Sequence, residues 1–296
     1  MATSSPPLAG LTFTLVGPGR VGASLAGWAV AAGARLRAIG GRGPGPHLAA
    51  LPALSAAPFL PYAEIASDGD DLLLIAVADS ALDEVAAALA PSRQAAVALH
   101  TSGSRTAEAL APLRGHGTAV GSLHPLKAFP SLRPNPEEAR GVFFGLDGDA
   151  AAVALGARIA AAWGARSGVI PGSSRLLYHF AATLAAGGVT TLLAAAAELA
   201  ARLELPTGVA GGYLELARGA VEAARERGDP AAAITGPAAR GDRETVLAQL
   251  AALAAVAPEM TGWARALAAE TIRRKTAAEP SDGAKRRLLD ELLEEG

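Results

Sequence analysis

Three polar segments of the chain carry side chains that could polarise a carbonyl group and supply a proton to it. They are Asp79-Ser80, His100-Thr-Ser-Gly-Ser104 and His124-Pro-Leu-Lys127. Reduction of a carbonyl group needs a hydrogen-bond donor at the carbonyl oxygen and a proton source for the resulting alkoxide. Ser102, His124 and His179 are the candidates for these roles. No pair of histidines or carboxylates has a spacing typical of a metal site, so no metal is expected.

Each polar segment follows a run of apolar residues that is typical of a buried strand. Ligands of open α/β sheets bind beyond the carboxyl ends of the strands, so the three segments together predict a cleft at one edge of a sheet. Each segment also has a structural interpretation. Asp79 or Ser80 could cap a helix over residues 81–89, and His124 could be a hydrogen-bonded structural residue.

A glycine-rich turn, Gly17-Pro-Gly-Arg-Val-Gly22, lies between a predicted strand at residues 11–16 and a predicted helix at residues 23–32. This context favours a dinucleotide-binding turn over an ordinary strand–helix turn. Gly17 would form the tight turn, Gly19 would let the backbone approach a pyrophosphate, and Gly22 would allow close helix–strand packing. The free N–H groups of the helix would bind the phosphates. The predicted cofactor-binding residues here and at a later strand end are Gly17, Pro18, Gly19, Arg20, Val21, Gly22, Val77, Ala78 and Asp79.

The second predicted strand, residues 36–39, indicates which nicotinamide cofactor would bind. Proteins that bind NAD place Asp or Glu about 20 residues after the glycine turn, where it bonds the ribose 2′-hydroxyl. This chain has no Asp or Glu before Glu64, whereas Arg42 lies just beyond the strand. A guanidinium group suits a 2′-phosphate, so we predict NADP as the cofactor. The alternative for Arg42 is a solvated loop arginine.

Alternating strands and helices predict an α/β fold with an N-terminal, doubly wound, mostly parallel Rossmann sheet. Further strands are expected at residues 71–77, 95–99, 118–123, 141–145 and 167–170, and helices at 81–89 and 150–163. Residues 40–62 are rich in Gly and Pro, with at most a short helix near His47. After Pro171 only helical segments follow, at 173–203, 208–227, 243–256, 259–277 and 281–295. The predicted domains are a Rossmann domain, residues 1–171, and an all-helical domain, residues 172–296.

The composition limits the class of protein and its partners. The 296 residues, 51% of them hydrophobic, suffice for two domains. A net charge of −2 without a basic patch argues against nucleic acid and anionic membranes as partners. Residues 1–7 show no signal-peptide pattern, and the chain has no cysteine. The uncharged residues 180–197 are mostly Ala, Gly and Thr, so we expect a buried helix and a cytoplasmic protein.

Several segments, spread in order over most of the chain, resemble one family of proteins. They are Leu99–Ser104 with Gly121–Leu126, Tyr178–Ala182 and Thr235–Asp242. The family comprises little-characterised Rossmann-like oxidoreductases whose second half is a helical domain of unknown function. The resemblance implies an NADP-binding domain, a helical domain similar to those of 6-phosphogluconate dehydrogenase and pyrroline-5-carboxylate reductase, and a homodimer formed through the helices.

The resemblance also implies roles for residues in the helical half. His179 would face the nicotinamide, and residues 235–242 would form a loop that closes the cleft. Thr235 and Arg240 would then contact the substrate, with Arg240 holding a carboxylate. The same segment can be explained as a turn, with Asp242 capping the next helix.

Two positions depart from the pattern of the family. Arg175 stands where relatives often carry Lys, and Gly187 stands where they often carry Asn. In related reductases that Lys and Asn bind the carbonyl group and donate its proton. Arg175 can bind a carboxylate but is a poor proton donor, since a guanidinium group does not give up its proton in proteins.

Three functions remain open on these grounds. The first is NADP(H)-dependent reduction of a small carbonyl substrate; some members of the family are similar to ketopantoate reductases, which suggests a branched 2-oxo acid. Its catalytic candidates are His179, His124, Ser102 and Arg175. The second follows from His124-Pro125, because prephenate and arogenate dehydrogenases carry His-Pro at the same strand end. The third is a non-catalytic NADP-binding sensor, suggested by Arg175 and Gly187.

Overall fold

The computed structural model describes residues 5–43, 52–92, 94–130, 135–278 and 282–294. The chain forms two compact units that divide between Ala186 and Gly187. The short helix expected near His47 lies outside the described residues.

A sheet of eight strands runs through the described part of the first unit. In chain order these are β1 (Thr12–Val16), β2 (Arg35–Gly40), β3 (Phe59–Leu60), β4 (Leu72–Ile75), β5 (Val97–His100), β6 (Ala119–Pro125), β7 (Phe143–Gly148) and β8 (Arg166–Val169). Their spatial order is β3-β2-β1-β4-β5-β6-β7-β8. Neighbouring strands pair in parallel, except that β6 pairs antiparallel with β7. The predicted doubly wound, mostly parallel Rossmann sheet is confirmed.

Helices cover both faces of this sheet. They are α1 (Arg20–Ala31), α2 (Pro52–Ser55), α3 (Leu82–Leu89) and α4 (Ala150–Ala162); another helix of this unit, α5 (Arg175–Thr183), follows β8. Strand β4 shows the two layers, because Leu72 and Leu74 belong to the apolar cluster with α1 and α4, whereas Leu73 and Ile75 belong to the cluster with α3. Alternate side chains of a strand point to opposite faces, so a wholly apolar β4 is what a strand buried on both faces requires.

The carboxyl ends of β1, β4, β5 and β6 lie at one edge of the sheet, because these strands are parallel. Strand β7 runs the other way and begins at that edge, where Gly145 lies opposite His124. A 3-10 helix, Ala107–His116, connects β5 to β6 and was not predicted from the sequence. Its Pro112 obscured the helical pattern, since proline removes a backbone donor.

The chain beyond Pro171 is helical, as predicted. A π-helical turn, Leu184–Gly188, follows α5 and leads into α6 (Val189–Arg202). The later helices are α7 (Val209–Arg227), α8 (Pro237–Arg240), α9 (Arg243–Val256), α10 (Pro258–Ala278) and α11 (Gly283–Glu294). A small apolar core joins α9, α10 and α11. The compact first unit includes α5, so a domain boundary at residue 171 stays a prediction.

The long helical stretch Gly172–Arg202 exposes its apolar side chains. Leu176, Leu177 and Phe180 are 73%, 75% and 57% exposed. By length and composition alone the stretch could cross a membrane, and none of its most apolar part is buried. The prediction of a buried helix at residues 180–197 is therefore wrong for the single chain. Small apolar residues indicate that a surface will be covered, but they do not say that the same chain covers it.

Candidate active site and dinucleotide cavity

The glycine turn has the geometry that its three predicted roles require. Gly17 has a φ of +87°, and a Cβ there would lie 2.7 Å from the carbonyl oxygen of Ala76. A Cβ at Gly22 would lie 2.9 Å from the Cβ of Ala76, so a side chain there would separate helix from strand. Gly19 stands at the N-cap of α1 with no atom within 4 Å of its missing side chain. A ligand can therefore approach the backbone and the free N–H groups of α1.

A cavity of about 430 Å³ lies against this turn. Several of the predicted cofactor-binding residues line it, namely Gly17, Pro18, Gly19, Arg42, Val77 and Ala78. Arg20 is instead the exposed first residue of α1, and Val21 packs against the core. The exposed side chain of Arg42 thus lies on the wall that the NADP prediction requires.

The same cavity has wall residues that the sequence analysis missed. Tyr62, from a short 3-10 helix after β3, and Glu84 and Val85, from α3, all line it. The prediction of NADP rests on the absence of carboxylates near β2. Glu84 comes from a later helix, α3, and still reaches the same cavity. A carboxylate and a guanidinium group therefore share one wall, and the choice of cofactor depends on both.

Asp79 links this cavity to the neighbouring strand end. Its carboxylate accepts a hydrogen bond from the hydroxyl of Ser104, 2.5 Å away. The prediction that Asp79 or Ser80 caps the following helix is wrong, because α3 has no side-chain cap. A 3-10 turn, Asp79–Ala81, intervenes, so neither side chain is at the N-cap of α3.

The segment after β5 is held by its own polar groups. His100 is fully buried, and its Nδ1 accepts a hydrogen bond from the N–H of Ser102 at 3.2 Å. The other nitrogen, Nε2, therefore carries the proton and donates to the carbonyl oxygen of Thr106 at 3.0 Å. Burial lowers the pKa of His100 to about 4. The Ser102 hydroxyl accepts a hydrogen bond from the N–H of Arg105, so it too contacts its own loop.

Two of the predicted catalytic residues, His124 and His179, lie side by side. Their ring centroids are 5.7 Å apart. His124 lies near the end of β6, and His179 lies in the second turn of α5. A Cβ at Gly103 would lie 2.6 Å from Nε2 of His124 and closer still to Cδ2 of His179. The two imidazoles therefore pack directly against Gly103, in the loop that follows β5, and fill the place that a side chain there would take.

His124 is uncharged at neutral pH. Burial lowers the pKa of His124 to about 4, with smaller contributions in the same direction from His179 and Arg175. A neutral imidazole donates from one nitrogen and accepts at the other. Nδ1 of His124 lies 2.9 Å from the hydroxyl of Tyr178, a residue that the sequence analysis did not assign to the site. Only the motif Tyr178–Ala182 gave any signal for it.

Arg175 lies entirely below the surface. Its Nη2 donates to the carbonyl oxygen of Ser102 at 2.7 Å, while Nε and Nη1 have no hydrogen-bond partner within the described part of the chain. Burial lowers the pKa of Arg175, and the charge of Asp147 opposes this. The guanidinium group therefore supports the loop that contains Ser102 and Gly103, and it adds a buried positive charge beneath the histidines.

Two predicted substrate-binding residues, Thr235 and Arg240, belong to the second unit. Both are exposed: Thr235 precedes the helical turn α8, and Arg240 is the last residue of that turn. Asp242 caps α9 by accepting a hydrogen bond from the N–H of Thr245, as the structural interpretation of this segment predicted. Their role toward a substrate stays a prediction. Among the described residues, no three His, Asp or Glu side chains are grouped so that they could hold a metal ion.

The sheet order, the glycine turn and the cavity define a Rossmann-type dinucleotide-binding fold followed by a helical region. Residues 4–125 match the model of a Rossmann-like domain, and residues 142–271 match that of a domain of unknown function, DUF2520. The chain therefore combines a Rossmann-like domain with a DUF2520 domain. No curated protein matches it.

Solved structures share this two-part fold. A candidate NADP oxidoreductase from Bacteroides fragilis is 22% identical with a TM-score of 0.72, covering 90% of this chain and 98% of its own. A protein from Thermotoga maritima is 20% identical with a TM-score of 0.71, covering 90% and 99%. Pyrroline carboxylate reductase from Plasmodium falciparum, with NADP bound, is 15% identical with a TM-score of 0.54, covering 73% and 79%. At these identities the likeness shows the fold.

Proposed function

We propose that this protein is an NADP(H)-dependent oxidoreductase that reduces the carbonyl group of a small 2-oxo acid or a similar compound. The observation that carries the proposal is the hydrogen bond from Ser104 to Asp79. Asp79 follows directly on Ala78 in the cavity wall, and Ser104 follows directly on Gly103 beside His124 and His179. A dinucleotide cavity and a pair of histidines therefore lie at the same edge of one sheet.

The cavity residues fit the dinucleotide. The open backbone at Gly19 and the N–H groups of α1 would hold the pyrophosphate, and Arg42 would hold the 2′-phosphate. Val77 and Ala78 would form an apolar wall on the way to the strand ends. When bound, the reduced cofactor would supply the hydride.

His124 and His179 would act on the substrate oxygen. Because its pKa is lowered to about 4, His124 would work as a neutral hydrogen-bond donor, not as an imidazolium acid. His179, whose ring lies beside that of His124, would supply or receive the proton. Arg175 is fully buried and would act indirectly, by holding the loop and adding positive charge below the developing alkoxide. Ser102 would position the same loop through its hydroxyl.

The first experiment is titration of the purified protein with NADPH and with NADH, followed by nicotinamide fluorescence. We expect NADPH to bind and NADH to bind at least about tenfold more weakly, since a phosphate–guanidinium interaction contributes about 1.5–3 kcal/mol. A panel of 2-oxo acids is then screened by the loss of nicotinamide absorbance. If neither nucleotide binds, the glycine turn has only a structural role and the proposed function is wrong.

The panel also separates the two competing functions. Prephenate and arogenate are assayed with NADP in the oxidative direction. The reason is that β6 ends with His124 and Pro125, the residue pair expected at this strand end in prephenate and arogenate dehydrogenases. Production of reduced nicotinamide with either compound would replace the proposed substrate class. A sensor would bind NADPH but turn over none of the compounds.

We propose in addition that two copies of the chain form a homodimer through the exposed apolar stretch Gly172–Arg202. A large exposed apolar surface on a protein marks an interaction site, and a two-fold interface would cover the same surface on both copies. Light scattering should give the mass of a dimer. Leu177→Glu, at a side chain 75% exposed, should give a monomer, whereas Leu293→Glu, at an exposed leucine of α11, should not. Co-sedimentation with lipid vesicles in place of dimerisation would instead indicate a membrane partner.

A further inference from the structure

Tyr178 contacts both β6 and β7 at the edge of the sheet. Its hydroxyl lies 2.9 Å from Nδ1 of His124, and the two rings meet edge to face with centroids 5.5 Å apart. The backbone of Gly145, opposite His124 in the pairing of β6 with β7, lies beside this hydroxyl. A Cβ at Gly145 would lie 2.6 Å from the same oxygen, so glycine is what allows the hydroxyl this close to the backbone.

The hydrogen bond between Tyr178 and His124 assigns the hydroxyl proton. The proton of the hydroxyl needs an acceptor, and within the described residues the hydrogen-bond acceptor at hand is Nδ1 of His124. If Nδ1 carried a proton, the half-buried hydroxyl would be left without a protein acceptor, which costs about 1–3 kcal/mol.

We infer that Tyr178 is a positioning residue that holds His124 as the tautomer protonated at Nε2. Nε2 of His124 packs against Gly103 beside the ring of His179, and its N–H would be the donor to a substrate oxygen bound next to the two imidazoles. The hydrogen bond at one imidazole nitrogen sets the protonation of the other. Tyr178 acts through His124 and does not itself contact the reacting atoms. This inference rests on the proposed function, because the Nε2 proton has a role in turnover only if the protein is an oxidoreductase that uses His124.

Nitrogen-15 NMR of the free protein tests the tautomer without substrate or cofactor. The imidazole nitrogens of His124 are assigned by their disappearance in His124→Gln, and their shifts show which nitrogen is protonated. We expect a protonated Nε2 in the wild type and a mixture of the two tautomers in Tyr178→Phe. A protonated Nδ1 in the wild type overturns the inference, and so does a protonated Nε2 that persists unchanged in Tyr178→Phe. Tyr213→Phe, in α7, should leave the His124 signals as they are.

Kinetics then tests the consequence for turnover. With a substrate identified from the panel, Tyr178→Phe should lower kcat by about 10- to 100-fold, as the loss of a group that orients a functional imidazole does. The Kd for NADPH should not change, because Tyr178 does not line the dinucleotide cavity. An unchanged kcat overturns the inference, while the proposed function would stand. Conversely, if the protein binds neither nucleotide but His124 is protonated at Nε2, the proposed function is wrong and the inference about Tyr178 stands.

Discussion

The hydroxyl of Ser104 donates a hydrogen bond of 2.5 Å to the carboxylate of Asp79. Asp79 begins the segment that leads from β4 into α3, and Ser104 lies in the segment that leads out of β5. Hydrogen bonds to a charged group contribute about 1.5–3 kcal/mol, so this one fixes the two segments relative to each other. The position of the loop before the histidines is thereby coupled to the wall of the dinucleotide cavity.

Arg42→Ala should weaken the binding of NADPH by about 10- to 100-fold and leave that of NADH nearly unchanged. The expected loss corresponds to the 1.5–3 kcal/mol or so of a charged hydrogen bond to the 2′-phosphate. Glu84→Gln removes the carboxylate that lines the same cavity and should change the NADPH/NADH preference in the opposite direction. The measurement is fluorescence titration of both variants with both nucleotides. An unaltered preference in Arg42→Ala would exclude Arg42 from phosphate binding.

His124→Gln and His179→Gln should each lower turnover by about 10²- to 10⁴-fold, the range typical of lost proton transfer or oxyanion stabilisation. Neither side chain lines the cavity, so NADPH should still bind. His116→Gln is the matched control, because His116 is exposed and bonds the carbonyl oxygen of Ala90. Wild-type rates in both site variants would show that turnover does not depend on these two imidazoles.

Gly103→Ala should abolish most of the turnover without abolishing nucleotide binding. The added Cβ would lie 2.6 Å from Nε2 of His124, so one of the imidazoles must move. Inserting a methyl group into a packed site costs about 1–3 kcal/mol. Gly115→Ala is the control, since a Cβ there meets no atom within 4 Å. Thermal unfolding checks that the variant is folded, and full activity in Gly103→Ala would show that the imidazoles need not keep their places.

The sequence predicted the sheet and the glycine turn because both depend on local patterns. Apolar runs mark buried strands, and the spacing of Gly17, Gly19 and Gly22 reflects contacts with the next few residues and one neighbouring strand. The position of Arg42 follows for the same reason. These elements could therefore be predicted from the amino-acid sequence of a single chain.

The rest of the site depends on contacts between distant segments. The hydroxyl of Tyr178 reaches His124 across 54 positions of sequence, and no spacing rule connects them. Asp79 was mistaken for a helix cap because its partner, Ser104, lies on another strand end. Burial of Arg175 is equally non-local, since it arises from the loop that its guanidinium supports. Leu177 is exposed in the single chain, and whether a second molecule covers it cannot be predicted from the sequence of one chain.

His100 should make the stability of the fold depend on pH. Its pKa is lowered from 6.5 to about 4 in the folded protein, chiefly by burial. The unfolded chain therefore binds a proton at a higher pH than the folded chain does. Between pH 6.5 and about pH 4 the free energy of unfolding must fall as the pH falls. Above pH 6.5 the contribution is fully present, and it amounts to about 3 kcal/mol for a shift of this size.

Urea unfolding of the wild type and of His100→Gln over this pH range isolates the effect. The variant loses the hydrogen bonds to Ser102 and Thr106, so it should be less stable at every pH. The difference between the two proteins should nevertheless shrink by about 3 kcal/mol as the pH falls from 6.5 to about 4, because only the wild type loses the His100 contribution. A constant difference between wild type and His100→Gln would show that folding does not lower the pKa of His100, which would contradict its burial as a neutral imidazole.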